Sequence, residues 1–131
     1  MASSAPGLKP RLILCIDDDD ISLRVRRLFL CNAGYDVLTA SSGEAGLEMF
    51  RQNSVDLVIA DHFLSAKSGT ETAREMRALK PNVPILIVSG STEEPTGIEF
   101  ADGFLSKGES PDELLSIIAS LLERRHDSSP S

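Results

Sequence analysis

Apolar residues follow two rhythms along this chain. Some short runs are apolar on consecutive positions and rich in branched side chains: Leu12–Ile16, DLVIA at 56–60 and PILIV at 84–88. Consecutive rather than alternating apolar positions suit strands covered on both faces, as in a parallel sheet. YDVLT at 35–39 and residues 104–106 are weaker runs of the same kind. Between the runs the period lengthens to that of a helix. Ile21, Val25, Leu28 and Phe29 predict one face of a first helix, which Ala33-Gly34 stops. Ser41 and Glu44 have capping-box spacing ahead of Ala45, Leu47, Met49 and Phe50. Residues 70–79 read as a third helix, closed by Lys80-Pro81. The last helix opens on Ser110-Pro111-Asp112-Glu113 and carries the stripe Leu114, Leu115, Ile117, Ile118, Leu121 and Leu122.

Strands that alternate with helices predict an α/β fold: a parallel sheet with right-handed crossovers and helices on both faces. The fourth helix of the series is the weak one. Pro95 cannot sit inside a helix without a cost of about 3 kcal/mol, so any helix there starts at or just before it. Gly97 weakens the next turn by about 1 kcal/mol relative to Ala, and Gly103-Phe104 already belongs to the next strand. Only Ile98, Phe100 and Ala101 remain to be buried, so this helix is expected to be shortened, frayed or replaced by a loop.

A chain of 131 residues, 41% hydrophobic and 25% charged, has the size and balance of one globular domain. The segmentation expected is a flexible tail at 1–10, a domain at 11–125 and a flexible tail at 126–131. No apolar run approaches the roughly 20 residues that cross a bilayer, and residues 1–7 lack the regions of a signal peptide. A membrane partner is not expected, and the default address is cytoplasmic. A net charge of -7 argues against a nucleic-acid partner, which needs a basic face. Cys15 and Cys31 read as small buried hydrophobes rather than as a disulfide framework.

Charge changes the picture most at Ile16-Asp17-Asp18-Asp19-Asp20, where an apolar run meets four consecutive carboxylates. Such a cluster is either a set of solvated cap and loop residues or a cation site. In parallel α/β sheets, ligands bind outside the carboxyl ends of the strands. There the first strand presents Asp17 and Asp18, the third Asp61, the fourth Ser89-Gly90 and the fifth Lys107. Hard oxygen donors with few protein contributors suit Mg²⁺, and phosphate completes its shell well. A lysine beside carboxylates balances charge and can grip a phosphoryl oxygen. A carboxylate can act as the nucleophile that forms an acyl phosphate.

These motifs, spread over about residues 11–125, resemble the receiver domain of two-component response regulators, of the stand-alone CheY-like kind. The resemblance rests on the Asp17-Asp18 pair after the first strand and on Asp61 ending VDLVIAD at 55–61. Gly69 lies eight residues beyond Asp61, Ser89-Gly90 ends the fourth strand, and Phe104 precedes Lys107 by three positions. It implies a flavodoxin-like, doubly wound sheet of five parallel strands in the order 2-1-3-4-5. It further implies that Asp18, Asp61 and the main-chain carbonyl of Phe63 ligate Mg²⁺, with Asp17 acting mainly through water. Asp61 would accept a phosphoryl group from a histidine kinase or phosphotransfer protein, Lys107 would pair with it, and Ser89 would hydrogen-bond the phosphoryl oxygen. Asp19 and Asp20 are left to solvent or to capping the first helix.

Departures from the family pattern surround the acceptor. Leu64-Ser65-Ala66-Lys67-Ser68 stands where Met-Pro-x-Met-Asp is usual, and Gly108 follows Lys107 in place of Pro. The weak fourth helix falls in the face that commonly reads out phosphorylation and often dimerises, so a weak homodimer or an altered partner mode is an expectation. His62 reads as a plain loop residue, and Arg24, Arg26 and Arg27 as a solvated helix face. The function expected is a phosphoacceptor module rather than a turnover enzyme, acting on an unidentified downstream protein. The alternative, from a different class, is a receiver-like interaction module that works without phosphorylation.

Overall fold

A computed structural model of the chain describes residues 10–64, 66–91, 93–108 and 110–127. The expected tails lie outside the described residues, save Pro10 and the end of the last helix. The elements run β1 (Leu12–Ile16), α1 (Asp20–Asn32), β2 (Asp36–Ala40), α2 (Gly43–Gln52), β3 (Leu57–Asp61), α3 (Gly69–Leu79), β4 (Ile85–Ser89), a 3-10 turn (Ile98–Phe100), β5 (Gly103–Ser106) and α4 (Pro111–Asp127). The strands form one parallel sheet in the order β2-β1-β3-β4-β5, the doubly wound arrangement expected.

The consecutive apolar runs are explained by the two cores they feed. Leu14, Ile16, Val58, Ala60, Ile85 and Ile87 point to the face closed by Leu47, Phe50, Ala73 and Met76 of α2 and α3. Their neighbours Ile13, Cys15, Leu57, Ile59, Leu86 and Val88 point to the opposite face, closed by Leu23 and Leu30 of α1 and Ile118, Leu121 and Leu122 of α4. Side chains of a strand alternate between faces, so a strand roofed on both sides has no polar position to spare.

Three sequence expectations are corrected. The buried stripe of α1 is Leu23 and Leu30, whereas Ile21, Val25 and Leu28 are exposed by 72%, 61% and 61%. Leu23 and Leu30, with the half-buried Phe29 of the expected stripe, are the α1 residues that pack against the sheet. Cys31 is exposed, while Cys15 is buried. The cap of α2 is Ser42, not Ser41: its hydroxyl accepts from the Ala45 N–H at 3.0 Å. The full capping box lies instead on α3. There Ser68 accepts from the Glu71 N–H and the Glu71 carboxylate accepts from the Ser68 N–H. Sequence spacing alone does not separate two adjacent serines, because either can supply the oxygen.

Asp19 is the N-cap of α1 and accepts from both the N–H and the hydroxyl of Ser22. Those hydrogen bonds, the hydroxyl first, hold its carboxyl below its usual range. The chain leaves α1 through Gly34 at φ +99°, a left-handed conformation that favours glycine. The fourth helix of the expected series is reduced to the 3-10 turn, as the sequence suggests. Gly97 precedes it at φ +88°, and a Cβ there would stand 3.1 Å from the Thr70 side chain. The segment is therefore laid close against α3.

Candidate functional site

The ends of β1, β3, β4 and β5 deliver polar groups to the same crevice. Asp17 follows β1 and is fully buried, while Asp18 is exposed. Asp61 is the last residue of β3 and 4% exposed, and Ser89 is the last residue of β4 and 1% exposed. Carboxylate oxygens of Asp17, Asp18 and Asp61 all lie within 4.8 Å of one another. Lys107 reaches across the sheet from the end of β5. Its Nζ is 3.1 Å from Asp61 Oδ2 and 3.2 Å from Asp17 Oδ2, and its main-chain N–H donates to the Ser89 carbonyl at 2.7 Å.

The register explains this convergence. Asp61 is opposite Val88 and Ser89 opposite Ser106, so the last residues of β3 and β4 and the first beyond β5 share one rim. The Asp61 carboxylate takes a further N–H from Phe63 at 3.3 Å. The Phe63 side chain stands 61% exposed beside the site, edge-on to His62 with ring centroids 4.9 Å apart. The loop is closed behind it by Gly69, whose N–H donates to the His62 carbonyl at 2.9 Å. A Cβ on Gly69 would lie 2.3 Å from the Asp61 carbonyl oxygen. That backbone contact is the physical reason for glycine eight residues beyond Asp61.

Burial raises the pKa of Asp61 above its ordinary value. Lys107 opposes the shift, Asp17 adds to it, and the Phe63 N–H opposes it. Burial alone would lower the Lys107 ammonium, but the Asp61 and Asp17 carboxylates together raise it. Three clustered carboxylates against a lysine make a hard, electronegative pocket whose donor set suits a small divalent cation such as Mg²⁺. Ser89 shares the rim, and its Oγ accepts from the Ser91 N–H at 3.2 Å.

One cation behaves otherwise than the sequence suggests, and a second lies in the loop that departs from the family pattern. Arg26, read as part of a solvated face, turns inward: its side chain is 13% exposed and its Nη1 lies 3.8 Å from Asp17 Oδ2. It lies at i+3 from Leu23 and has Leu30 at i+4, so it shares their buried face, a relation that shows only once that face is known. Lys67, in the altered loop after Asp61, turns away from the site. It bridges Glu44 on α2, at 3.1 Å, and Glu75 on α3.

The sequence and the fold are similar to those of known proteins. The family model for the response regulator receiver domain matches residues 13–119. The cell cycle transcriptional regulator CtrA of Caulobacter vibrioides is 32% identical over 116 residues, covering 86% of this chain and 50% of CtrA. The alkaline phosphatase synthesis transcriptional regulatory protein PhoP of Bacillus subtilis is 32% identical over 123 residues, covering 91% of this chain and 51% of PhoP. The chain thus spans about half the length of these curated relatives. Among solved structures, a receiver domain protein from Clostridium thermocellum superposes with a TM-score of 0.83 at 31% identity, over 88% of this chain and 97% of that one. The response regulator protein TrrA of Thermotoga maritima, in complex with Mg(2+)-BeF, gives 0.81 at 29% identity, over 85% of this chain and 98% of that one. The fold, the acidic crevice and a match over most of its length together say that this chain belongs to the response regulator receiver family.

Proposed function

We propose that the chain is a phosphoacceptor in two-component signalling, with Asp61 as the residue that takes the phosphoryl group from a phosphohistidine of a kinase or phosphotransfer protein. The observation that carries this reading is the 3.1 Å contact between Lys107 Nζ and the buried Asp61 carboxylate. A carboxylate oxygen of Asp61 attacks phosphorus in line, the P–N bond breaks, and the imidazole leaves and takes up a proton. The product is an acyl phosphate on Asp61. Lys107 first holds the carboxylate in place and then balances the added charge. The Ser89 hydroxyl, turning from Ser91, donates to a phosphoryl oxygen and draws the loop after β4 inward. Asp18, Asp61 and the Phe63 carbonyl form the seat for Mg²⁺, with Asp17 acting mainly through water. A bound Mg²⁺ would supply charge neutralisation between these oxygens and the phosphoryl group, and the rest is positioning.

The module is modified once per acceptor rather than turning over substrate. Its output passes to a downstream protein or onward in a relay, at a cytoplasmic address. Among the described residues no helix is long and apolar enough to cross a membrane. Intact-mass measurement after incubation with a small acyl-phosphate donor and Mg²⁺ tests the proposal. The expected result is a single phosphoryl addition, absent in Asp61→Asn. Labelling that persists in Asp61→Asn removes Asp61 from the mechanism. A wild type that neither donor nor kinase labels favours an interaction module that works without phosphorylation.

A further inference from the structure

Arg26 lies outside the rim of strand ends, yet its position on α1 calls for an explanation. A guanidinium is costly to withdraw from water unless it is paired. Arg26 lines a groove between α1, β5 and α4 together with Val25, Phe29, Leu105 and Leu114. Its Nη1 is buried with no hydrogen-bond partner among the described residues. The charge it faces is Asp17, at 3.8 Å and itself fully buried. Asp17 is thereby occupied on both oxygens: Oδ1 accepts the Asp19 N–H at 3.0 Å, and Oδ2 lies between Lys107 at 3.2 Å and Arg26.

We propose that Arg26 is a positioning residue that sets how strongly the acidic crevice holds a divalent cation. It does so by neutralising Asp17 from behind and leaving Asp18 and Asp61 to take the metal. The inference rests on the Mg²⁺ seat of the proposed function. With Arg26, the three clustered carboxylates face two cations; without it, they face Lys107 alone and the crevice gains one unit of negative charge. Arg26 lowers cation affinity and limits repulsion among the carboxylates when no metal is bound.

Isothermal titration of the full chain with MgCl₂ tests this. Arg26→Met and Arg26→Gln should each tighten the Mg²⁺ dissociation constant by roughly three- to tenfold, an effect that falls as salt is raised. Arg26→Lys, which keeps the charge, should stay within about twofold of wild type. Unchanged or weaker binding in both neutral variants overturns the proposal. So does tightening in Arg26→Lys equal to that in Arg26→Met, because charge would then not be the cause. A wild type that gives neither heat nor a thermal shift with Mg²⁺ removes the cation site itself, and this inference with it. Circular dichroism on each variant separates loss of fold from loss of effect.

Discussion

Arg77 on α3 and Asp102 just before β5 form an ion pair at 2.5 Å, and the same Asp102 oxygen accepts the Ile85 main-chain N–H at 2.8 Å. Arg77 also donates to the Phe100 and Pro81 carbonyls. One guanidinium therefore gathers the end of α3, the start of β4 and the shortened crossover. Arg77→Met leaves these acceptors unmatched and should cost about 1–3 kcal/mol in urea denaturation. Amide exchange should speed up first around residues 97–102. A loss spread evenly over the sheet would show that the clasp has no local role.

Asp61→Asn should raise the thermal midpoint in the absence of metal. The Asp61 pKa is raised in the fold, chiefly by burial, from an ordinary value of 3.8, so its ionised form is the one that folding disfavours. Proton linkage fixes the sign: the cost is complete above the folded-state pKa and is relieved as pH falls from there toward 3.8. Metal-free melting curves across that window should converge for wild type and Asp61→Asn as pH is lowered. Curves that diverge on acidification would contradict the raised value.

Mg²⁺ should stabilise the wild type, by about 2.7 kcal/mol at a hundred times its dissociation constant if it binds only the folded state. Asp18→Asn should raise the metal-free midpoint and abolish the response. A response retained in that variant would strike Asp18 from the ligand set.

Gly69→Ala should destabilise the protein by about 1–3 kcal/mol and slow phosphoryl acceptance, because the new methyl group meets the Asp61 carbonyl at 2.3 Å. Chemical denaturation reads the first effect and donor labelling the second. A variant of wild-type stability would mean that the loop yields freely.

Alkylation should distinguish the two cysteines. Burial pushes the Cys15 thiol up to about 12, while Cys31 is exposed. Mass measurement after iodoacetamide at pH 8 should show one adduct on the folded chain, at Cys31, and a second only after unfolding.

The sheet was legible because strands roofed on both faces must be apolar throughout, and Leu57, Val58, Ile59 and Ala60 have no other use. The crevice followed from topology, since residues at strand ends need only the right order to meet: Asp17 and Lys107, 90 positions apart, touch. The face of α1 was not legible. Ile21, Val25 and Leu28 are as apolar as Leu23 and Leu30, so helical periodicity alone does not say which of them is buried. Arg26 was missed for the same reason, because a helix turned to bury Leu23 and Leu30 also carries Arg26 toward Asp17. The Arg77 clasp joins residues through chain separations that no periodicity reports.

The crossover between β4 and β5 contains no fully buried side chain in its single turn. Its attachment is mixed: Ile98, Phe100 and Ala101 pack half-buried against one core, and the Arg77–Asp102 pair clasps it from the polar side. Grease and polar clasps answer to different solvents. Ionic strength weakens exposed charge contacts but leaves apolar burial nearly untouched, and local opening draws on whichever contacts a segment owns. Dissolved salt thus has a lever on the Arg77–Asp102 side of this strap, while the apolar side of its attachment stays out of salt's reach.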